Sequence, residues 1–412
     1  MGDNMDIKFI ENGSVTSPQG FTASGICAGI KASNKTKRDL ALIYCERMCT
    51  AAAIFTKNLV KSSTIEVTKS HLESGTAQAI IANSGNANTC NADGVEKAER
   101  MCALAAKELG IDESEVIVAS TGVIGQILPI EPIENNIGAL AKSLSKSGGT
   151  DAAEAIMTTD TVKKEAAVTF TLGGKTVTIG GIAKGSGMIH INMGTMLSFV
   201  TTDAAISSEM LKQALLEAAD VSYNMVSVDG DTSTNDTLTL MASGLAGNAE
   251  ISEKGEDYEI FVSALTKLCK HLAKKLAGDG EGATKLLICC VKNAKTEKDA
   301  KGVAKSVICS SLLKAAMFGE DANWGRVLCA IGYSGMDVDI NKVNLEFVSS
   351  AGRLPVCENG AGIEFSEERA KEILSEKEIT IAIDLQQGSA YAEAYGCDLT
   401  YDYVKINGDY RT

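Results

Sequence analysis

Apolar residues recur along this chain in two distinct periods. From Gly94 to Gly110, Val95, Ala98, Met101, Cys102, Leu104 and Ala105 trace one helical face and the run stops at glycine, which predicts an amphipathic helix. Thr202–Leu216 and Tyr258–Ala277 read the same way, the second through Ile260, Leu265, Leu268 and Leu272 before Gly278-Asp-Gly280. Short runs rich in Val, Ile or Leu predict strands at Ala79–Ala82, Val116–Ala119, Ala167–Leu172, Leu286–Val291, Val343–Phe347 and Glu378–Ile383. Helices and strands alternate only loosely, so an α/β or α+β layered fold follows, without a topology. Four prolines against 39 glycines make the turns glycine-built. No Pro/Ser-rich linker, charge block or solenoid-period repeat divides the chain.

Composition narrows the class. At 412 residues the chain has enough core for two lobes, and 45% hydrophobic with 22% charged residues is the balance of a soluble globular protein. A net charge of −14 excludes the basic footprint of a nucleic-acid binder. Twelve cysteines in a long chain whose start, Met1 to Lys8, has no apolar targeting core point to a reducing cytoplasm. No apolar run approaches the roughly 18–20 residues of a membrane span. There is no Cys-x-x-Cys pair, and His71, His190 and His271 stand alone, so neither a metal site nor a Ser-His-Asp triad is expected.

Chemistry concentrates in Lys184-Gly-Ser-Gly-Met-Ile-His-Ile-Asn-Met-Gly-Thr-Met-Leu-Ser-Phe-Val-Thr-Thr-Asp203. Apolar residues among small polar ones would also suit a buried strand and its turn. The segment, however, sets the hydroxyl of Thr195 directly after Gly194. A threonine hydroxyl needs an adjacent base to act as a nucleophile, and cleavage of Gly194–Thr195 would free an α-amine with an ordinary pKa of about 7.7–8.0. Lys184 is a cationic partner for a substrate carboxylate. Val116 to Gly125 reads as a strand running into the small-residue turn Thr121-Gly122, and Thr158-Thr-Asp-Thr161 as a turn or cap. The oxygen-rich run Val226 to Asp236 resembles a calcium loop, but the glycine and glutamate register is wrong. Gly278-Asp-Gly-Glu281-Gly-Ala-Thr-Lys285 lies between a helix and a strand in the reverse order to a phosphate loop.

Taken together, these motifs resemble the arginine-biosynthesis ornithine acetyltransferases, the bifunctional glutamate N-acetyltransferase/amino-acid acetyltransferase family. The resemblance runs from Gly20 to the last residue and includes Ala82-Asn-Ser-Gly-Asn-Ala-Asn88, Met157-Thr-Thr-Asp-Thr161, Val228 to Asp236, Phe318 to Arg326 and the terminal Tyr403 to Thr412. It implies a self-cleaving, two-lobed N-terminal-nucleophile-like fold, with residues 1–194 as an α chain and 195–412 as a β chain that assemble as a hetero-oligomer. By match, Thr121 and Gly122 form the oxyanion hole, and Thr158, Lys184, Thr195, Glu281, Asn407 and Thr412 contact substrate. In this reading the Val226–Asp236 run builds the polar wall around the new N-terminus. The chain departs from the family pattern at His190-Ile191, where a residue and a proline are usual, and at Gly194, where alanine is usual.

The resulting expectation is a cytoplasmic enzyme without bound cofactor. Its acetyl-Thr195 intermediate passes acetyl from N-acetylornithine to glutamate, and acetyl-CoA is admitted as a further donor. Two competing readings remain: a self-processed amidohydrolase or aminopeptidase, in which water takes the acyl group, and an unprocessed amino-acid-binding protein.

Overall fold

The computed structural model describes residues 6–190 and 196–409. Two principal sheets organise them. In the larger, nine-stranded sheet, neighbours run Lys8–Phe9, Lys164–Leu172, Lys175–Lys184, Leu197–Thr202, Thr237–Ala242, Leu40–Phe55, Thr76–Asn83, Val116–Ser120. Phe21–Ile26 adds to the first half of the long strand Leu40–Phe55. Two pairs are parallel, Thr76–Asn83 with Val116–Ser120 and Leu197–Thr202 with Thr237–Ala242.

Side chains alternate across this sheet, as a two-residue period requires. Leu40, Leu42, Ile81, Val116 and Val118 pack with Ala98, Met101, Cys102 and Ala105 of the helix Gly94–Leu109. Their alternates Ile43, Ile80 and Ile117 share a cluster with Ile182, Phe199 and Met241 from the other end of the sheet. The helix Gly149–Ala155 covers this face through Ala152, Ala153 and Ala155. On the outer face of that other end, Val200, Leu238 and Leu240 meet the helices Ser208–Asp220 and Glu256–Gly278. The expected boundary after residue 194 falls between Lys175–Lys184 and Leu197–Thr202, which are antiparallel neighbours. Segments on either side of it therefore share one core.

The second, six-stranded sheet runs Ala361–Gly362, Gly352–Glu358, Asn344–Ser349, Glu378–Asp384, Leu286–Ala294, Ala390–Cys397. The helix Glu297–Cys309 covers one face through Ala300, Val303, Ala304 and Val307. The chain is therefore a layered, mixed α/β protein, as its patterning implied.

One expected helix is displaced. Thr202 ends a strand, with its hydroxyl donating to the Thr178 carbonyl at 2.8 Å, and Asp203 accepts the Thr178 N–H at 2.7 Å. These ties hold the chain extended. The helix begins at Ser208, where the Ser207 hydroxyl caps the Met210 N–H. All twelve cysteines are free thiols. Among the described residues no group of three His, Cys, Asp or Glu could hold a metal, and no helix is long and apolar enough to cross a membrane.

Candidate active site

Thr121, Gly122, Thr158, Lys184, Glu281 and Asn407, six of the residues singled out above, line one cavity of about 100 Å³. Ser233, Thr234, Asn235 and Asp236 form another wall, and Met188 and Met196 also face it. Gly194, Thr195 and Thr412 lie outside the described residues.

The Thr121-Gly122 turn follows the buried strand Val116–Ser120. Gly122 has φ of +128°, and a Cβ there would lie 2.8 Å from the Asn86 nitrogen, so only glycine fits. Asparagines brace the turn. The Asn83 carbonyl accepts the Thr121 N–H at 2.9 Å, and the Asn83 amide donates to the Ser120 hydroxyl at 2.7 Å while accepting the N–H groups of Gly85 and Asn86. From the opposite wall, Asn235 donates to the Ser120 carbonyl at 2.7 Å and to the Ala87 carbonyl at 2.6 Å. The asparagine-rich stretch Ala82–Asn88 and the Val226–Asp236 run therefore act together, locking the turn from two sides. Within the latter, Asp229 accepts the N–H groups of Met188 and Ile189 at 2.6 and 2.8 Å, which spends its carboxylate on the chain leading to residue 191.

Lys184 closes its strand with only 8% of its surface exposed, and its ammonium stands 3.4 Å from the Thr121 hydroxyl. Burial lowers its pKa, while the negative field of Asp160, and beyond it of Asp236 and Glu281, works the other way. Among the described residues no carboxylate forms a salt bridge with it. A buried cation without a contacting anion is costly, and the arrangement suits an incoming carboxylate.

Beneath Lys184 lies an ion triad that sequence reading missed. Lys164, fully buried, contacts Asp160 at 2.6 Å and Asp279 at 2.5 Å. Asp160 also accepts the N–H of Gly185 at 2.7 Å and of Thr158 at 3.1 Å. Burial would raise Asp160, but Lys184 and Lys164 beside it bring its pKa down to about 2. Asp279 accepts the Thr161 N–H at 3.1 Å, and its carbonyl accepts the Ser186 hydroxyl at 2.7 Å. Three segments that were separate motifs in the sequence, 158–161, 184–187 and 278–285, are pinned to one another here. The signal was present in Asp160, Lys164 and Asp279, but the last two are 115 positions apart.

Glu281 sits on a glycine turn between helix and strand, where the sequence pattern put it. A Cβ on Gly187 would strike its carboxylate, so that glycine makes room for it. Asn407, on the helix Tyr401–Asp409, donates to Glu281 at 2.8 Å. That helix is seated by Gly282, whose φ of +69° and close approach to the Tyr403 nitrogen exclude a side chain. The block Phe318–Arg326 has a structural role instead: Asn323 caps the helix Trp324–Gly332, and Trp324 closes over Gly362. His190, one of the departures, has Nδ1 3.1 Å from the Ser227 hydroxyl and 3.5 Å from the Cys309 thiol.

The cavity thus combines a rigid N–H and hydroxyl turn, an unpaired cation and a carboxylate–amide pair, which together could orient a small zwitterion against an oxyanion site. A model of the ArgJ family matches residues 22–412. The arginine biosynthesis bifunctional protein ArgJ of Caldanaerobacter subterraneus subsp. tengcongensis is 52% identical over 404 residues, covering 98% of this chain and 100% of the relative. The protein of the same name from Thermotoga neapolitana is 48% identical over 398 residues, covering 96% and 99%. A crystal structure of arginine biosynthesis bifunctional protein ArgJ from Bacillus halodurans is 43% identical, covers 52% of this chain and 98% of its own, and has a TM-score of 0.49. With a family match across almost its whole length and relatives near half identity, the chain belongs to the ArgJ family.

Proposed function

We propose that this chain cleaves itself between Gly194 and Thr195 and then transfers acetyl from N-acetylornithine to glutamate through an acetyl ester of Thr195. Membership of the ArgJ family makes it an acyltransferase of arginine biosynthesis. The observation that carries the finer reading is the single cavity in which Thr121, Gly122, Thr158, Lys184, Glu281 and Asn407 meet beside Met188 and Met196, the residues that bracket the cleavage segment. Its small volume favours a free amino-acid derivative over a peptide.

In maturation the Thr195 hydroxyl attacks the Gly194 carbonyl, the peptide C–N bond breaks, and water hydrolyses the ester. Gly194 carries no Cβ, so its carbonyl is unhindered. In turnover the freed α-amine takes the hydroxyl proton, and the oxygen attacks the acetyl carbon of N-acetylornithine. The Thr121 hydroxyl and Gly122 N–H stabilise the oxyanion, each such donor being worth about 3–4 kcal/mol. The acetyl C–N bond breaks, the α-ammonium returns its proton to the departing nitrogen, and ornithine leaves. Glutamate's amine then takes the acetyl group by the reverse sequence. Lys184 receives the α-carboxylate that all four substrates and products share. Glu281, steadied by Asn407, faces the rest of the substrate.

We further propose that acetyl-CoA serves as a second acetyl donor, that Thr412 completes the substrate contacts, and that residues 1–194 and 195–412 remain together as α and β chains of a cytoplasmic hetero-oligomer. The test is intact mass under denaturing conditions, followed by acetyl transfer. Two masses meeting between Gly194 and Thr195, together with glutamate-dependent release of acetyl from the protein, support the scheme. A single full-length mass with undiminished transfer would overturn it. Acetyl-enzyme that hydrolyses equally fast without glutamate would mark an amidohydrolase.

A further inference from the structure

The long strand Leu40–Phe55 is interrupted at one place. It keeps antiparallel register with Thr76–Asn83 as far as Tyr44, opposite Ala79, and regains it at Cys49, opposite Ala77. Five residue steps on one strand thus match two on the other, a rise of only about 7 Å. The surplus is thrown outward: Glu46, Arg47 and Met48 are exposed, while Cys45 and Cys49 on either side of them are buried. The feet of this loop are fixed. The Cys45 carbonyl accepts the Gln78 amide at 3.0 Å, the Gly20 carbonyl accepts the Glu46 N–H at 3.1 Å, and Cys49 is back in the ladder. Both side chains enter the same core cluster, where the two thiols hydrogen-bond to each other. Adjacent Cys289 and Cys290, by contrast, point to opposite faces of their strand.

We propose that Cys45 and Cys49 are a redox-active dithiol that closes to a disulfide across the base of this loop. A disulfide needs Cα atoms about 4.4–6.8 Å apart with side chains facing each other. The register leaves the two cysteines less than two strand steps apart, within about 7 Å along the sheet, with their sulfurs already in contact. Cys45 is the attacking thiol. Its sulfur accepts the Cys49 thiol and the Arg47 N–H, which together with the Arg47 charge hold its pKa below the ordinary thiol value, against burial and Glu46. The same contact, with burial, pushes Cys49 up. The oxidant is a low-molecular-weight disulfide. The Cys45 thiolate attacks it, its S–S bond breaks, and one half leaves as a thiolate that takes up the Cys49 proton. With Cys45 capped, its charge no longer opposes ionisation of Cys49, which attacks the Cys45 sulfur and expels the second half. Two protein thiols and one small disulfide become one protein disulfide and two small thiols. Closure ties the half-strand paired with Phe21–Ile26 to the half paired with Thr237–Ala242, the strand that leaves the cavity wall at Asp236.

Peptide mapping of the wild-type protein tests this. Trypsin cuts after Arg38, Arg47 and Lys57, which places Cys45 in peptide 39–47 and Cys49 in peptide 48–57. Native protein is incubated with hydroxyethyl disulfide, its remaining thiols are alkylated in denaturant, and the digest is weighed without reduction. The expected product is these two peptides joined, two hydrogens lighter than their sum and separated by reductant. Exposed Cys90 and Cys329, capped by the reagent, report that the oxidant has acted. Absence of the joined pair while those two thiols are capped would overturn the proposal, as would a link that forms only after unfolding. Cys49→Ser should trap Cys45 as a mixed disulfide, and Cys45→Ser should leave Cys49 a free thiol. Capping of Cys49 in Cys45→Ser as fast as the pair closes in wild type would overturn the role of Cys45 as attacking thiol.

Discussion

The two sheets differ in what they leave open. The nine-stranded sheet buries both faces, and its strand ends close on a cavity whose charged groups, Lys184, Asp236 and Glu281, are all buried. The six-stranded sheet buries one face only. Across the other, Cys290, Lys292, Glu346, Arg353 and Asp384 line a groove of about 450 Å³, and its ions pair at the surface, Lys292 with Asp384 and Arg353 with Glu346. Charge in the first region is dehydrated and geometrically fixed, whereas charge in the second is exchangeable with water. An ion pair therefore means different things in the two places: Lys164 with Asp160 holds site segments in register, and Lys292 with Asp384 holds little.

That contrast can be broken or sharpened by substitution. The largest effect belongs to Thr195→Ala, which should abolish both cleavage by mass and transfer by assay; a variant that still transfers acetyl at the wild-type rate would remove the covalent scheme. Next, Lys164→Met strands two buried carboxylates and should destabilise the protein by about 3–5 kcal/mol in denaturant unfolding. A loss below that of a surface pair would mean that the triad is not structural. Lys184→Met removes a charged hydrogen bond of about 1.5–3 kcal/mol to the substrate carboxylate, so KM for N-acetylornithine should rise roughly ten- to a hundredfold.

The pH dependence is smaller. Asp160 has its folded pKa depressed to about 2 from an ordinary 3.8. Its contribution, about 2 kcal/mol, is therefore fully present above pH 3.8 and lost as pH falls through 2. Wild type should lose that stability across this window, and Asp160→Asn should flatten the slope there. Smallest of all, Arg353→Ala on the open sheet should leave both the unfolding midpoint and kcat/KM essentially unaltered. A drop in activity would show that the open face communicates with the cavity.

Legibility in the sequence followed the same division. The stripe through Ala98, Met101, Cys102 and Ala105, stopped by Gly110, produced the helix Gly94–Leu109, whose glycine takes the left-handed conformation at φ of +70°. Every expected strand appears at its place. The sixteen-residue strand Leu40–Phe55 was not legible, because its ends are largely buried on both faces, the exposed Glu46-Arg47-Met48 interrupts its middle, and it carries Ala51, Ala52 and Ala53 instead of alternating polar and apolar residues. Thr202–Ile206 looked helical because neither Thr201–Thr202 nor Ala204–Ala205 has a period of its own. Tertiary hydrogen bonds to Thr178 decided the matter.

By itself the sequence determined the layered class, the few helices and strands with clear periodicity, the family and six residues that meet in one cavity, because periodicity, glycine punctuation and contiguous motifs are local properties. Only the tertiary structure decided that Lys164 joins Asp160 to Asp279, that Asn235 braces a turn 115 residues away, and that Asp236 keeps an unpaired oxygen. Desolvation and ion pairing depend on which distant residues exclude water from a group, and no local pattern encodes that.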